Sequence, residues 1–380
     1  MSNQLTGINK LFRVKFWAAT MLNKNDVLIQ ITAFFWLVQK LLSWKLWVTE
    51  RTIPIVPCFD LLENTPGFIH WFLLGASIFL LLYLLIWPNE KSLQIVLIIL
   101  EIASCTLDQN RWQPWEYQYL FILFIVVINK NKQVLPVFLF VMACIYFYSG
   151  FYKFNSHFLP QIWDKMILKD FLKLDKSIRH ISVLYYSGFI IPIVELLGGL
   201  GLMIKKYRKA TALLLIGMHF IILIILGPWG LQYNQIIWPW NVAMIIFLLY
   251  IIYHESSITF TWVILFNGWN KLVFISWLVL PILCIWGWWD NFLSANVYSG
   301  STPNIFICVN DTSKLKFPSG YYLKNESPKI CAGKITISLQ KWAMAEINVP
   351  VIPQLRVYKK IEADFLKKHP NVGAVFVYVY

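Results

Sequence analysis

The chain has 380 residues, 58% of them hydrophobic and only 14% charged, with 19 Trp and 28 Phe. That balance excludes an ordinary soluble domain and describes a polytopic membrane protein. The formal net charge of +14 would point to nucleic acid in a soluble chain, but in a membrane protein the distribution of charge among loops decides its meaning, and nucleic-acid binding is set aside.

Residues 1–27 are polar and basic, with Lys10, Arg13, Lys15 and Lys24, and hold no compact apolar core before a small-residue cleavage site. They read as a cytoplasmic N-terminal segment, with the first apolar stretch doubling as an uncleaved signal anchor. A helix crosses a bilayer in about 20 residues. Nine apolar segments approach that length, at 28–47, 69–87, 93–107, 115–128, 134–152, 182–204, 208–227, 234–253 and 272–289. The third and fourth are short, which fits tilted helices or a broken pair around the polar turn 108–114. An inside N-terminus places Lys91, Lys130, Lys132, the Lys205–Lys209 cluster and Lys271 in the cytoplasm, as the positive-inside rule asks of an inner (plasma) membrane protein. The connection 153–181 falls outside. It interleaves Lys165, Lys169, Lys173 and Lys176 with Asp164, Asp170 and Asp175 between apolar residues, the pattern of an interfacial amphipathic helix.

From about Asp290 the composition changes. Asn304–Val309, Lys334–Leu339 and Ala374–Tyr380 carry the period-two, β-branched and aromatic pattern of strands, and Leu355–Lys368 has helical spacing. The chain therefore reads as an all-α polytopic membrane bundle over 28–290, followed by a small extracytoplasmic α+β cap over 291–380. Nine crossings leave that cap outside the cytoplasm, where Cys308 and Cys331, the only cysteines of the tail, could hold a disulfide. The other four, Cys58, Cys105, Cys144 and Cys284, show no metal-ligand spacing, and no metal is expected. The C-terminal strand also offers an edge that an extracytoplasmic protein partner could pair with.

Ionisable groups inside the apolar segments carry the functional signal, because each costs roughly 2.5–3.5 kcal/mol on insertion scales and turns inward. Glu101 and Asp108 belong to this set. Asp108 opens the polar turn Asp108-Gln109-Asn110-Arg111-Trp112-Gln113-Pro114-Trp115, read either as a helix-hairpin turn or as the mouth of a cavity. Tyr146-Phe147-Tyr148-Ser149-Gly150-Phe151-Tyr152-Lys153 closes the fifth segment, where Lys153 either snorkels to the headgroups or points inward as a general base. Glu195, before Gly198, Gly199 and Gly201, lies too far from either end of its segment to snorkel. His219 in the seventh segment is followed by Gly227-Pro228-Trp229 and then by Asn234, which opens the eighth. Whether these groups converge on one cavity is not decided by the sequence.

The order of these pieces resembles the HTTM family, the membrane region shared with vitamin K-dependent gamma-glutamyl carboxylases, with a more distant likeness to DoxX-type proteins, over roughly residues 10–290. The resemblance implies a pocket for an isoprenoid quinone or quinol, with Lys153 as the base and His219 and Glu195 polarising or orienting. It makes Asp108, Asn234 and Trp115 candidates for contacts with the bound cofactor. Two features differ from the carboxylases. Leu93–Leu97 lacks the histidine they carry before the acidic turn, and the tail 291–380 stands in place of their large substrate-docking region. The expected function is a quinol-linked oxidoreductase or carboxylase-like enzyme, and the alternative is a non-catalytic membrane subunit docking an extracytoplasmic partner.

Overall fold

The computed structural model describes residues 23–310, 315, 322–323, 328–331 and 334–379. Lys10, Arg13 and Lys15 lie outside the described residues. The described chain is mostly helical, with a small C-terminal sheet.

The first helix, α1 (Lys24–Leu42), starts where the Asn23 side chain accepts a hydrogen bond from the Asn25 amide and the Asp26 carboxylate accepts one from the Asn23 amide. This reciprocal cap satisfies amides that the first turn leaves open. Asp26 also accepts from Asn89, in the connection between α2 (Gly67–Ile86) and α3 (Lys91–Leu107). Pro114 takes the first position of α4 (Pro114–Ile128), where a missing N–H costs nothing. There follow α5 (Asn131–Tyr152), α6 (Ile190–Met203), α7 (Arg208–Leu226), α8 (Ile237–Tyr253) and the composite α9 (Asn270–Trp286). Among the described residues, four stretches, Gly67–Ile86, Asn131–Tyr152, Ser182–Met203 and Arg208–Leu226, are long and apolar enough to cross a membrane. The others are shorter or carry charge, as α1 does with Lys24, Asp26 and Lys40.

α5 is the axis of the bundle. In its apolar window 89% of residues are buried, against 28% in the stretches containing α6 and α7, whose apolar faces look outward. Between apolar helices in lipid there is little hydrophobic gain, so small residues and polar pairs must hold the contact. The α5–α6 pair shows both devices. A Cβ on Gly199 would lie 2.5 Å from the Ala143 carbonyl, and one on Gly150 would lie 2.5 Å from the Leu196 amide, so the two backbones touch at these glycines.

The two ends of the bundle differ. Asn25 donates to Asn131 at 3.1 Å, Asn129 and Asn270 exchange hydrogen bonds at 2.8 Å, and the Tyr250 hydroxyl reaches the Lys24 carbonyl. These links gather Lys24, Lys91, Lys130, Lys132 and Lys271 at one end. The C-terminal domain sits on the other. Its sheet has the order β2-β3-β1-β4, all antiparallel, from β1 (Asn304–Val309), β2 (Tyr322–Leu323), β3 (Ile335–Ser338) and β4 (Val375–Val379). Strand β1 lies between β3 and β4, with Ile307 opposite both Ile337 and Phe376. Helices α10 (Leu339–Ile347) and α11 (Leu355–Lys368) bury Trp342, Val357, Ile361 and Phe365 in the domain's core. Cys308 and Cys331 form a disulfide.

Candidate functional site

Lys153 ends α5 and is 4% exposed. Its ammonium donates to Glu195 Oε2 at 2.6 Å, to Ser149 Oγ at 2.7 Å and to the Ser149 carbonyl at 3.2 Å, so its three N–H groups all have partners. The pairing is possible because α5 and α6 touch at Gly150 and Gly199, which brings Glu195 one helical turn from the Gly199 contact. Glu195 itself is 5% exposed, and among the described residues no group donates to its Oε1.

His219 in α7 is bonded on both sides. Asn241 Nδ2 donates to the Ile237 carbonyl at 2.8 Å, which turns Asn241 Oδ1 toward His219 Nδ1 at 2.7 Å. With Nδ1 as the donor, the neutral ring leaves Nε2 to accept the Tyr146 hydroxyl at 2.7 Å. A tautomer is thus set by an amide whose own orientation is fixed by backbone.

Both clusters face one cavity of about 590 Å³, within the usual range for a small-molecule site. Lys153, Glu195, Ser149, Tyr146, His219 and Asn241 are its polar lining, and the rest is almost wholly aliphatic and aromatic. The helical segment Phe158–Phe171 supplies Phe158, Ile162 and Met166 to one wall. The strap 295–300 closes an end with Ala295, Val297 and Tyr298, in backbone where Ala295 and Tyr298 take φ of 54° and 51°.

Of the residues singled out by sequence, Lys153, Glu195 and His219 therefore share one cavity. Asn234 stands one residue behind it, donating to the Tyr298 hydroxyl at 2.9 Å while its own Oδ1 is buried without a partner. Asp108 and Trp115 are elsewhere. Asp108 accepts from Arg51 and from the Val56 amide at 3.2 Å, both in the connection between α1 and α2, and from the Asn110 amide at 3.1 Å within the turn. Beside it Arg111, fully buried, donates to the Leu46, Trp47 and Ser104 carbonyls. The C-terminal domain seats itself on this turn, through Asn110 with the Ile352 amide at 3.3 Å and Gln109 with Arg356 at 2.8 Å. Trp115 packs against Trp47 and Tyr119.

Sequence reading passed over Tyr146, Trp240 and Asn241 as site residues. The signal for Asn241 was present: a polar amide in the second turn of an apolar helix. Glu101 has a different setting. It accepts from Lys40 at 2.7 Å and from Ser77, and Glu116 lies 3.8 Å from the same ammonium while accepting from Trp36 Nε1 at 2.6 Å. Lys40 also stands 3.2 Å above the Trp47 ring. This second cluster holds α1, α2, α3 and α4 together, and none of its ionisable groups lines the cavity.

No group of three or more metal-ligating side chains occurs among the described residues. Comparison with family models, with characterised proteins and with solved structures found no match.

Proposed function

We propose that this chain is an integral membrane enzyme that holds a lipid-soluble quinol in the cavity between α5, α6, α7 and α8, with the Lys153–Glu195 pair as its proton-handling group. The observation that carries this reading is the convergence of a buried ion pair and a bonded histidine on one apolar chamber. A purely structural ion pair would be expected to be closed over by side chains, whereas this one faces open space. The chamber suits the group: apolar walls take a ring and its chain, and the polar lining offers acceptors and donors to ring hydroxyls.

A quinol bound there would supply two electrons and two protons, which dioxygen as co-substrate would take up to give the quinone and hydrogen peroxide. The chain's own residues set where a proton goes. Lys153, with all three N–H groups engaged by Ser149 and Glu195, is an ammonium and acts as a fixed positive charge. The accepting role falls to Glu195 through Oε1, which no protein group engages among the described residues. A proton taken from a ligand hydroxyl thus rests on Glu195, while Lys153 balances the anion left behind. The role of base, expected of Lys153 from sequence, passes in this reading to its partner. His219, fixed by Asn241, orients the Tyr146 hydroxyl at the cavity wall. The resemblance to HTTM and vitamin K-dependent carboxylases is part of the proposal, as support for quinol chemistry rather than for carboxylation.

In the same reading the nine apolar helices all cross an inner membrane. The basic end, with Lys24, Lys91, Lys130, Lys132 and Lys271, faces the cytoplasm, and the C-terminal domain with its Cys308–Cys331 disulfide faces the oxidising side. The test is equilibrium binding of a reduced naphthoquinone to the purified protein in lipid nanodiscs. Saturable binding that weakens at least tenfold in Val194→Trp, which fills the cavity, is expected. Wild-type protein that is folded and binds no quinol would defeat the reading.

One observation favours a second reading, in which the chain docks an extracytoplasmic protein. Among the described residues β4 pairs only with β1 and forms an edge of the sheet, and Val375 and Val379 remain 50% and 38% exposed. Lysines at these two positions would abolish co-purification of such a partner if the edge is its seat.

A further inference from the structure

Helices α6 and α7 are joined by a short turn and pack tightly near it, while other faces of both line the cavity. Near the connecting turn 204–207, a Cβ on Gly201 would lie 2.5 Å from Thr211 Oγ1, and one on Gly198 would lie 2.7 Å from Leu215 Cδ2. The other side of α7, about 200° around the helix from Leu215, is open. Gly217 lines the cavity, is turned to the outside of the bundle, and a Cβ placed on it would meet nothing within 4 Å. α7 thus packs on α6 by one face and borders the cavity with another.

The residues on the rim say what the opening faces. Ile190 of α6 and Leu213, Leu214 and Ile221 of α7 all line the cavity, yet stay 61%, 52%, 54% and 58% exposed. A mouth of four half-exposed aliphatic side chains is costly against water, at roughly 25 cal/mol per Å² of apolar surface, and costs nothing against acyl chains. The polar groups, Lys153, Glu195 and His219, are all buried on the inner side.

We infer that the cleft between α6 and α7 is a lateral doorway to the bilayer, with Gly217 as its sill, through which an amphiphile carrying a long polyisoprenoid chain enters ring first and leaves its chain lying between the two helices. This rests on the quinol reading of the cavity, which supplies the ring; the doorway supplies the chain. Glycine at 217 keeps the passage wide, because a side chain there would project into space that no other group occupies within 4 Å of its Cβ. The walls on either side continue outward as aliphatic surface, which suits a chain and gives a free, tail-less ring nothing further to hold.

The test compares wild type with Gly217→Leu, Gly217→Trp and a control, Gly75→Trp. Gly75 also has nothing within 4 Å of its Cβ and looks outward, but it lies in α2, away from the cavity. Each protein in nanodiscs is titrated with a naphthoquinone bearing four isoprene units and with the tail-less ring. Expected is a loss of long-chain binding of tenfold or more in Gly217→Trp, a smaller loss in Gly217→Leu, and none in Gly75→Trp, with the tail-less ring affected less. Equal long-chain binding by wild type and both Gly217 variants would overturn the doorway. Access is also read without any quinone. A cysteine replacing Val194 on the inner wall is exposed to a maleimide carried on a lipid acyl chain, in the Gly217 and Gly217→Trp backgrounds, against the rate of the parent protein. Labelling slowed fivefold or more by Gly217→Trp supports the doorway, and equal rates overturn it. Should wild type bind neither quinone while the labelling is slowed, the doorway stands and the quinol reading falls.

Discussion

At the scale of single residues, the arithmetic of buried charge decides most of what the bundle tolerates. Lys40, Glu101 and Glu116 are each fully buried, and two carboxyls share one ammonium. Glu101 is the close partner at 2.7 Å, and Glu116, at 3.8 Å, is the one the ammonium needs less. A neutral amide at Glu116 keeps the bond from Trp36 and leaves the Lys40–Glu101 pair intact. Glu116→Gln is therefore expected to change stability by no more than about 1 kcal/mol, whereas Glu101→Gln strips Lys40 of its near partner and costs on the order of 3–5 kcal/mol. Thermal unfolding of the two variants in the same detergent reads the difference. A Glu116 variant as damaged as the Glu101 variant would mean that both carboxylates are needed as charges. Sequence reading found Glu101, Lys153, Glu195 and His219 as costly groups in apolar segments, but it could not find their partners. Lys40 and Glu101 are 61 residues apart and Lys153 and Glu195 are 42 apart, on helices whose neighbours are fixed only by packing. Asp108 shows the opposite limit. Its polar turn was legible, but that Arg51 and the Val56 amide would complete Asp108's bonds, and that Asn110 would hold the C-terminal domain, depended on segments that only the fold brings together.

At the scale of elements, the site depends on how closely α5 and α6 approach. The glycines at 150 and 199 let Pro192, Leu196, Ala143 and Phe147 come into backbone contact across the pair. Replacing Gly199 by Val would force the helices apart and lengthen the Lys153–Glu195 contact. Overpacking of this kind costs roughly 1–3 kcal/mol. The predicted result is a lowered unfolding temperature together with lost quinol binding, and retention of both would show that the pair tolerates separation. The apolar segments were placed to within a few residues for α2, α5 and α7. The sequence did not show that Ser182–Met203 is interrupted before α6. The interruption follows from Gly188 and its contact with Trp163, which only the folded chain brings together. In the tail, β1, β3, β4 and α11 follow the alternation and spacing read from sequence, while α10 was missed because Ser338 caps it directly at the end of β3, leaving no loop to signal a change of element.

At the scale of the whole molecule, a polar seam joins the bundle and the C-terminal domain beside a continuous set of buried apolar residues that includes Leu46, Trp47, Val351 and Ile352. Asn110 accepts from the Ile352 amide, Gln113 donates to the Pro350 carbonyl at 3.0 Å, and Glu346 accepts from Thr52. Arg356 makes a bidentate pair with Asp290 at 2.6 Å, but its side chain is 52% exposed. Losing that pair in Arg356→Ala is expected to cost less than about 1 kcal/mol. Asn110→Ala leaves the buried Ile352 amide without its acceptor and is expected to cost about 1–3 kcal/mol. Limited proteolysis between 290 and 304 would report the loosening: strong for Asn110→Ala and near wild type for Arg356→Ala. The reverse order would place the seam's strength at its exposed rim.

The central claim is that the ion pair facing the cavity handles a proton from a bound quinol, and oxygen consumption tests it most directly. Purified protein in lipid would be supplied with a reduced naphthoquinone and compared with Lys153→Met and Glu195→Gln, each shown to be folded. The account predicts uptake by wild type that falls by about a hundredfold or more in both variants, the usual scale for losing a proton-transfer group. Uptake that survives in both variants, or a folded wild-type protein that consumes no oxygen with quinol present, would contradict it.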